Sequence, residues 1–171
     1  MAAELSIEVG IGLRQRGLKL VTAESCTGGL IGHWLTEVPG SSDYYAGGVV
    51  SYANEAKMAL LGVPAGLLGM YGAVSRETAL EMARGARRIL AGEFDEDLLV
   101  GLSVTGIAGP GGGTPLKPVG LTWIGLSTRH LQRAWRFEWH GSRSENKQSS
   151  AREALGLLLE FLQGHPRGED E

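Results

Sequence analysis

Strands interleaved with helices, followed by a late hairpin and one more helix, predict a three-layer α/β/α sandwich around a mixed β-sheet. Three observations support this. Near-continuous apolar runs at 18–21 and 98–104 suit strands covered on both faces. Segments between the strands repeat their apolar residues at helical spacing. The chain's 171 residues suffice to bury roughly two thirds of the unfolded surface in one core. No composition shift marks a boundary. Residues 1–164 are therefore expected to form one domain, and the polar stretch 165–171 a disordered tail.

From Ala3 to Arg16, Leu5, Val9 and Leu13 recur on one side of an amphipathic helix that Gly17 ends. Leu18–Val21 reads as a strand and Leu30, Ile31, Trp34, Leu35 and Val38 as the face of a second helix. After the turn Pro39-Gly40-Ser41-Ser42, the stretch Tyr44–Tyr52 has strand composition. A short helix is expected from Asn54 to Leu61, stopped by Gly62, and Tyr71-Gly72-Ala73-Val74 is read as an extended link. Ser75 caps a long helix with Ala79, Met82, Ala83, Ala86 and Ile89 on one stripe. Leu98–Val104 is the buried strand. It leads into a loop, 105–118, that holds five glycines and three prolines. Val119–Thr128 and Gln132–Trp139 read as a hairpin turning near Arg129-His130, and Ser142 with Glu145 matches a capping box opening the last helix.

Composition excludes several functions. A net charge of -3 lacks the basic surface that a phosphate backbone requires, so nucleic acid is not an expected partner. Cys26 is the only cysteine, which rules out an internal disulfide, and His33, His130, His140 and His165 lack metal-ligand spacing, so neither metal nor cofactor is expected. No apolar run approaches membrane-spanning length and no basic segment precedes an apolar one at the N-terminus. A soluble, cytoplasmic protein with no membrane partner is the expectation.

The chemistry-bearing stretches all begin where strands end, the edge at which open α/β sheets place ligands. In Thr22–Gly29, Ser25 lies at a strand-to-helix turn. The glycines permit close approach, and the first helical turn is expected to offer free N–H donors to negative charge. A hydroxyl nucleophile there suits acyl transfer; the equal alternative is that Ser25 or Thr27 only caps the helix. Tyr52 and Lys57 follow the second strand. A lysine serves as a base at neutral pH only if burial or a neighbouring cation lowers its proton affinity, and Glu55 close by would oppose that. Otherwise Lys57 is a surface residue. The loop 105–113 is neither a Walker A motif nor a dinucleotide fingerprint, because it leads through prolines into a strand. Ser25 has Gly28 three residues on and Tyr52 has Ala56 four on, so neither a Ser-x-x-Lys nor a Tyr-x-x-x-Lys pattern is present.

The blocks Glu24-Ser25-Cys26-Thr27-Gly28-Gly29, Pro39-Gly40-Ser41-Ser42, 48–57, Leu61-Gly62-Val63, Gly72-Ala73-Val74-Ser75 and 105–112 together resemble the CinA C-terminal domain family, whose members include nicotinamide-nucleotide amidases. The likeness runs from about Leu5 to Leu162. It implies metal-free hydrolysis of the carboxamide of nicotinamide mononucleotide to nicotinate mononucleotide and ammonia, in pyridine nucleotide salvage. Ser25 would be the nucleophile, with Lys57 and Tyr52 as proton-transfer partners. Thr27, Gly28, Gly29, Asn54, Thr105 and Gly106 would line the substrate site, with Arg143 a candidate for the substrate phosphate. By the same likeness Ser25 rather than Cys26 faces the pocket, since neighbouring side chains of an extended chain point to opposite sides. Tyr71 departs from the family, which often has histidine there. Longer relatives carry a second, nucleotide-hydrolysing domain, and its absence favours a free-standing amidase. The alternative is a non-catalytic module that binds a nucleotide or a protein. A homo-oligomer is expected, with Trp34 or Tyr44-Tyr45 contributing to its contacts.

Overall fold

The chain runs α1 (Ala2–Gln15), β1 (Lys19–Glu24), α2 (Leu30–Thr36), β2 (Tyr45–Val50), α3 (Asn54–Leu61), α4 (Ala65–Tyr71), α5 (Arg76–Ile89), β3 (Leu99–Gly106), β4 (Leu121–Ser127), β5 (Gln132–Glu138) and α6 (Arg143–Leu162) in the computed structural model, which describes residues 2–168. The sheet order is β2-β1-β3-β4-β5. Strand β1 pairs in parallel with both β2 and β3, while β4 and β5 continue the sheet antiparallel. The sheet is therefore mixed, as expected, and β1 is central to its parallel half.

Helices cover both faces. On one, α1, α2 and α6 pack Val9, Leu13, Ile31, Leu35, Leu155 and Leu158 against Leu20, Leu102, Val104, Ile124 and Trp135. On the other, Leu61, Leu68, Met82 and Ala86 meet Val21, Ala23 and Leu99. Helix α5 lies against bare backbone: a Cβ on Gly101 would stand 2.0 Å from the Ala83 carbonyl oxygen, and one on Gly125 would stand 2.5 Å from that of Ala79. Ser103 Oγ donates to the same Ala79 oxygen at 2.6 Å. This close approach fixes the distance between α5 and the sheet.

The structure departs from the sequence reading in four places. Helix α4 was not expected; its glycines at 66 and 69 weaken helical propensity, and Leu68 is its one buried residue, so no periodic stripe announces it. Tyr71 ends that helix rather than opening an extended link. Strand β1 extends to Glu24 because its polar residues are satisfied inside: Thr22 Oγ1 meets the Tyr45 hydroxyl at 2.9 Å, and Glu24 binds backbone N–H groups. Tyr44, expected on an exposed face, is fully buried, its ring packed over the site where Gly10 has no Cβ.

Within the polar C-terminal stretch, Trp135 Nε1 donates to the Gly168 carbonyl at 2.7 Å and Arg167 pairs with Glu153 and Glu160. Residues 169–171 of that stretch lie outside the described residues. Among the described residues no helix is long and apolar enough to cross a membrane.

Candidate active site

The parallel strands β1, β2 and β3 all end at one edge of the sheet. Beyond β1, Ser25 N–H still donates to the Val104 carbonyl at 2.9 Å, so the chain remains in register with β3. Val21 and Ala23 face the layer of α3 and α5, Ser25 continues that alternation, and Cys26 enters the opposite core. A turn follows, closed by Gly28 N–H to the Ser25 carbonyl at 3.1 Å. Gly28 and Gly29 adopt φ values of 65° and 95°, a region that side chains with a Cβ disfavour.

Neither Ser25 nor Thr27 caps α2. The Glu24 carboxylate does so, accepting from the N–H groups of Gly29 (3.0 Å), Ile31 (3.1 Å) and Gly32 (2.9 Å). Two of the first-turn donors that the sequence led us to expect free, those of Ile31 and Gly32, are thus already occupied. Just after Ser25, the backbone N–H groups of Cys26 and Thr27 donate to no other described residue. These are the donors adjacent to the candidate nucleophile.

Lys57 is buried, 1% exposed, on the face of α3 that also carries Leu61. Its Nζ lies 2.9 Å from Ser25 Oγ, 2.7 Å from the Ser51 carbonyl oxygen and 3.4 Å from that of Tyr52. As an ammonium it donates to all three. As a neutral amine it donates its two hydrogens to the carbonyls and turns its lone pair to the Ser25 hydroxyl. Burial pushes the Lys57 proton affinity below the ordinary lysine value, with a weaker opposing influence from Cys26. Glu55 is exposed and takes no part. Cys26, 5% exposed in the apolar core, has its thiol pushed up to about 12 by burial.

Tyr52 is placed differently from the expectation of a proton-transfer trio around Ser25. Its side chain is 60% exposed, and its hydroxyl accepts from Arg143 Nη2 at 2.7 Å; only its backbone carbonyl approaches Lys57. Arg143, at the start of α6, also donates through Nη1 to the Gly109 carbonyl at 2.7 Å. One turn on, Asn146 donates to the Ala108 carbonyl at 3.1 Å and accepts from Gly141 N–H at 3.0 Å. The first turns of α6 therefore latch the glycine-rich loop.

The remaining candidates divide. Thr105 Oγ1 donates to the Ala73 carbonyl at 2.7 Å, fastening β3 to the link before α5. Gly106 passes close to Cys26 Sγ, which would stand 3.1 Å from a Cβ there. Thr27 is buried at 1% exposure, and its Oγ1 has no hydrogen-bond partner. Asn54, the first residue of α3, is exposed. Sequence reasoning missed Glu24 and Asn146, which bind backbone groups of neighbouring segments; only the acid at the end of β1, ahead of a glycine pair, carried a local hint. Among the described residues no three His, Cys, Asp or Glu side chains gather as a metal site.

The fold and the Ser25–Lys57 pair define an α/β/α protein with a candidate serine–lysine centre at the parallel strand ends. The chain belongs to the CinA C-terminal domain family, whose model matches residues 2–162. A putative competence-damage inducible protein of Halothermothrix orenii is 45% identical over 156 residues, 91% of this chain and 36% of that protein. A CinA-like protein of Salinibacter ruber is 48% identical over 151 residues, 88% of this chain and 35% of its own length. The chain thus spans about a third of the length of these relatives. Among solved structures, a CinA superfamily protein from Klebsiella pneumoniae superposes with a TM-score of 0.88 at 32% identity, covering 96% of this chain and 99% of that one. The competence/damage inducible protein CihA from Agrobacterium tumefaciens gives 0.83 at 40% identity, with 95% of each chain covered.

Proposed function

We propose that this protein hydrolyses the carboxamide of nicotinamide mononucleotide, releasing ammonia and nicotinate mononucleotide, with Ser25 as nucleophile and Lys57 as base. The supporting observation is the 2.9 Å contact between Lys57 Nζ and Ser25 Oγ inside a site that depresses the lysine's proton affinity. Amide hydrolysis needs an activated nucleophile, donors for the oxyanion and an acid for the departing amine. Neutral Lys57 takes the Ser25 proton as Oγ attacks the carboxamide carbon. The Cys26 and Thr27 N–H groups offer donors to the oxyanion that forms. Collapse breaks the C–N bond, Lys57 returns its proton to nitrogen, and ammonia leaves an ester on Ser25. Water, deprotonated by Lys57, then attacks the ester carbon to free the carboxylate and restore the hydroxyl.

Tyr52 contributes at the rim. Its oxygen accepts from Arg143, leaving its own O–H to donate to the ligand. The test is ammonia release from nicotinamide mononucleotide by the purified protein, expected in the wild type and absent in Ser25→Ala and Lys57→Met. A wild-type protein that binds the nucleotide without turnover would instead establish a binding module.

A further inference from the structure

We infer that Ser51 is a positioning residue for the candidate centre: its side-chain hydroxyl takes up the hydrogen bond of Lys57 Nζ that Ser25 Oγ gives up on bonding to a substrate carbon. This rests on the amide-hydrolysis reading for the reaction, but not for the placement of the hydroxyl. The pairing of β1 with its neighbours runs to Glu24↔Val50 and Glu24↔Val104. One residue on, Ser51 N–H donates to the Glu24 carbonyl at 2.8 Å and Ser25 N–H to that of Val104 at 2.9 Å, so the register continues and puts Ser25 between Ser51 and Thr105. Val49 packs in the core layer of Leu61, Val50 reaches the Gly29 side, and Ser51 turns back to the layer of α3. Adjacent strands lie about 4.8 Å apart, so Ser25 has a hydroxyl-bearing neighbour on each side.

The two neighbours are not equivalent. Thr105 Oγ1 is committed to the Ala73 carbonyl at 2.7 Å. Ser51 is fully buried, and its Oγ has no partner among the described residues. Thr27 and Tyr44 carry the other such buried hydroxyls, but only Ser51 already touches Lys57, whose Nζ donates to its carbonyl oxygen at 2.7 Å. Rotation about χ1 moves a serine Oγ among three staggered positions while the carbonyl stays in place. The Ser51 hydroxyl can therefore turn toward Nζ without moving the backbone.

Lys57 needs such a partner because its bonds change during the reaction. With Ser25 free, the ammonium donates to Ser25 Oγ, to the Ser51 carbonyl and, at a long 3.4 Å, to the Tyr52 carbonyl. Once Oγ is bonded to the substrate carbon, it is a weak acceptor and can no longer donate to the amine lone pair. A serine hydroxyl both accepts and donates. Ser51 accordingly accepts from the ammonium until ammonia is expelled, and donates to the neutral amine of the ester stage until water arrives. Ser51 itself gains and loses no proton; the transfers stay between Ser25 Oγ, Lys57 Nζ, the departing nitrogen and water. Bonds to a charged group are roughly twice as strong as neutral ones, so the net effect of the hydroxyl is to favour the ammonium. The charged and titratable groups around Lys57 do not duplicate it. Cys26 lies in the opposite core, Glu24 is bound by backbone N–H groups and Glu55 is exposed. The Tyr52 hydroxyl is on Arg143, and Arg88 of α5 is held by the Leu61 carbonyl and Glu81.

The test combines ammonia release from nicotinamide mononucleotide with a titration that needs no turnover. Ser51→Ala is expected to lower the turnover number about ten-fold or more and leave the Michaelis constant within about two-fold. Its unfolding midpoint should stay at or above wild type, because the change removes a buried hydroxyl that has no protein partner. Ser51→Thr, which keeps the hydroxyl, should recover most of the turnover. Full turnover in Ser51→Ala, or a loss of turnover matched by a fall in the unfolding midpoint, would overturn the assignment. The second arm follows Lys57 by carbon NMR of lysine labelled at Cε, in Ser25→Ala and in the double variant Ser25→Ala, Ser51→Ala. With Ser25 Oγ gone, Ser51 supplies the hydroxyl, and the Lys57 titration midpoint should fall by about half a unit or more in the double variant. Equal midpoints would overturn the role of Ser51 whatever the kinetics. A lower midpoint in the double variant, with no ammonia released by the wild type, would keep Ser51 as the partner of Lys57 and sink the amide-hydrolysis reading.

Discussion

Replacing Glu24 with glutamine tests how the turn bearing Ser25 is held in place. The carboxylate makes two bonds through Oε2, to Gly29 and Ile31, and one through Oε1, to Gly32. A glutamine oriented to keep the first two places its amide NH2 against the Gly32 N–H, donor against donor. Bonds to charged groups contribute about 1.5–3 kcal/mol against ~1 for neutral ones, and an unsatisfied buried donor costs about 1–3 kcal/mol. Two bonds each weakened by about 0.5–2 kcal/mol and a donor orphaned at about 1–3 kcal/mol come to about 2–7 kcal/mol, a large part of the 5–15 kcal/mol that typically stabilises a domain. Urea unfolding followed by circular dichroism should show that loss, with Glu55→Gln, an exposed control, staying within about 0.5 kcal/mol. A Glu24→Gln loss below ~1 kcal/mol would refute the account of the carboxylate as anchor of α2.

Three further outcomes are expected. The turnover rate should rise with pH as Lys57 loses its proton, with the midpoint below the ordinary lysine value of 10.5 because burial disfavours the ammonium; a rate independent of pH up to 10.5 would exclude Lys57 as base. Ser25→Ala should be inactive while Cys26→Ala keeps most activity and loses about 1–2 kcal/mol of stability to a small cavity. Thiol alkylation should be slow, because the Cys26 thiol stays protonated until about pH 12; the same raised value means its stabilising contribution is whole below 9.0 and is lost as pH climbs from there toward 12, which alkaline unfolding would report. Gly101→Ala should destabilise by at least about 1–3 kcal/mol, since the new methyl would meet the Ala83 carbonyl; an unfolding free energy equal to wild type would mean that α5 shifts freely.

The sequence announced what depends on near neighbours. Asn54–Leu61, the Ser75 and Ser142 caps and the hairpin turn at Thr128–Leu131 follow from local spacing and capping chemistry, and each is present. The position of Ser25 at a strand-to-helix turn was legible for the same reason. Helix α4 was not, because its glycines and single buried leucine give it no periodicity. The contacts that shape the site lie beyond any local window. Lys57 meets Ser25 across 32 residues and Arg143 meets Tyr52 across 91. The family resemblance implied that Tyr52 should serve Ser25 as a proton-transfer partner, whereas the fold sends its hydroxyl to Arg143 of α6.

The central place of β1 has a consequence for how the chain reaches its native state. This strand is made early, yet it is flanked by β2 and by β3, whose residue Leu99 pairs with Lys19 eighty positions upstream. Until β3 has been synthesised, one edge of an apolar strand has no partner. At translation rates of about 5–20 residues per second, that edge stays open for roughly 4–16 seconds on the ribosome. The stretch synthesised before β3 is therefore the part of the nascent chain most open to intermolecular strand pairing, until β3 arrives to close that edge.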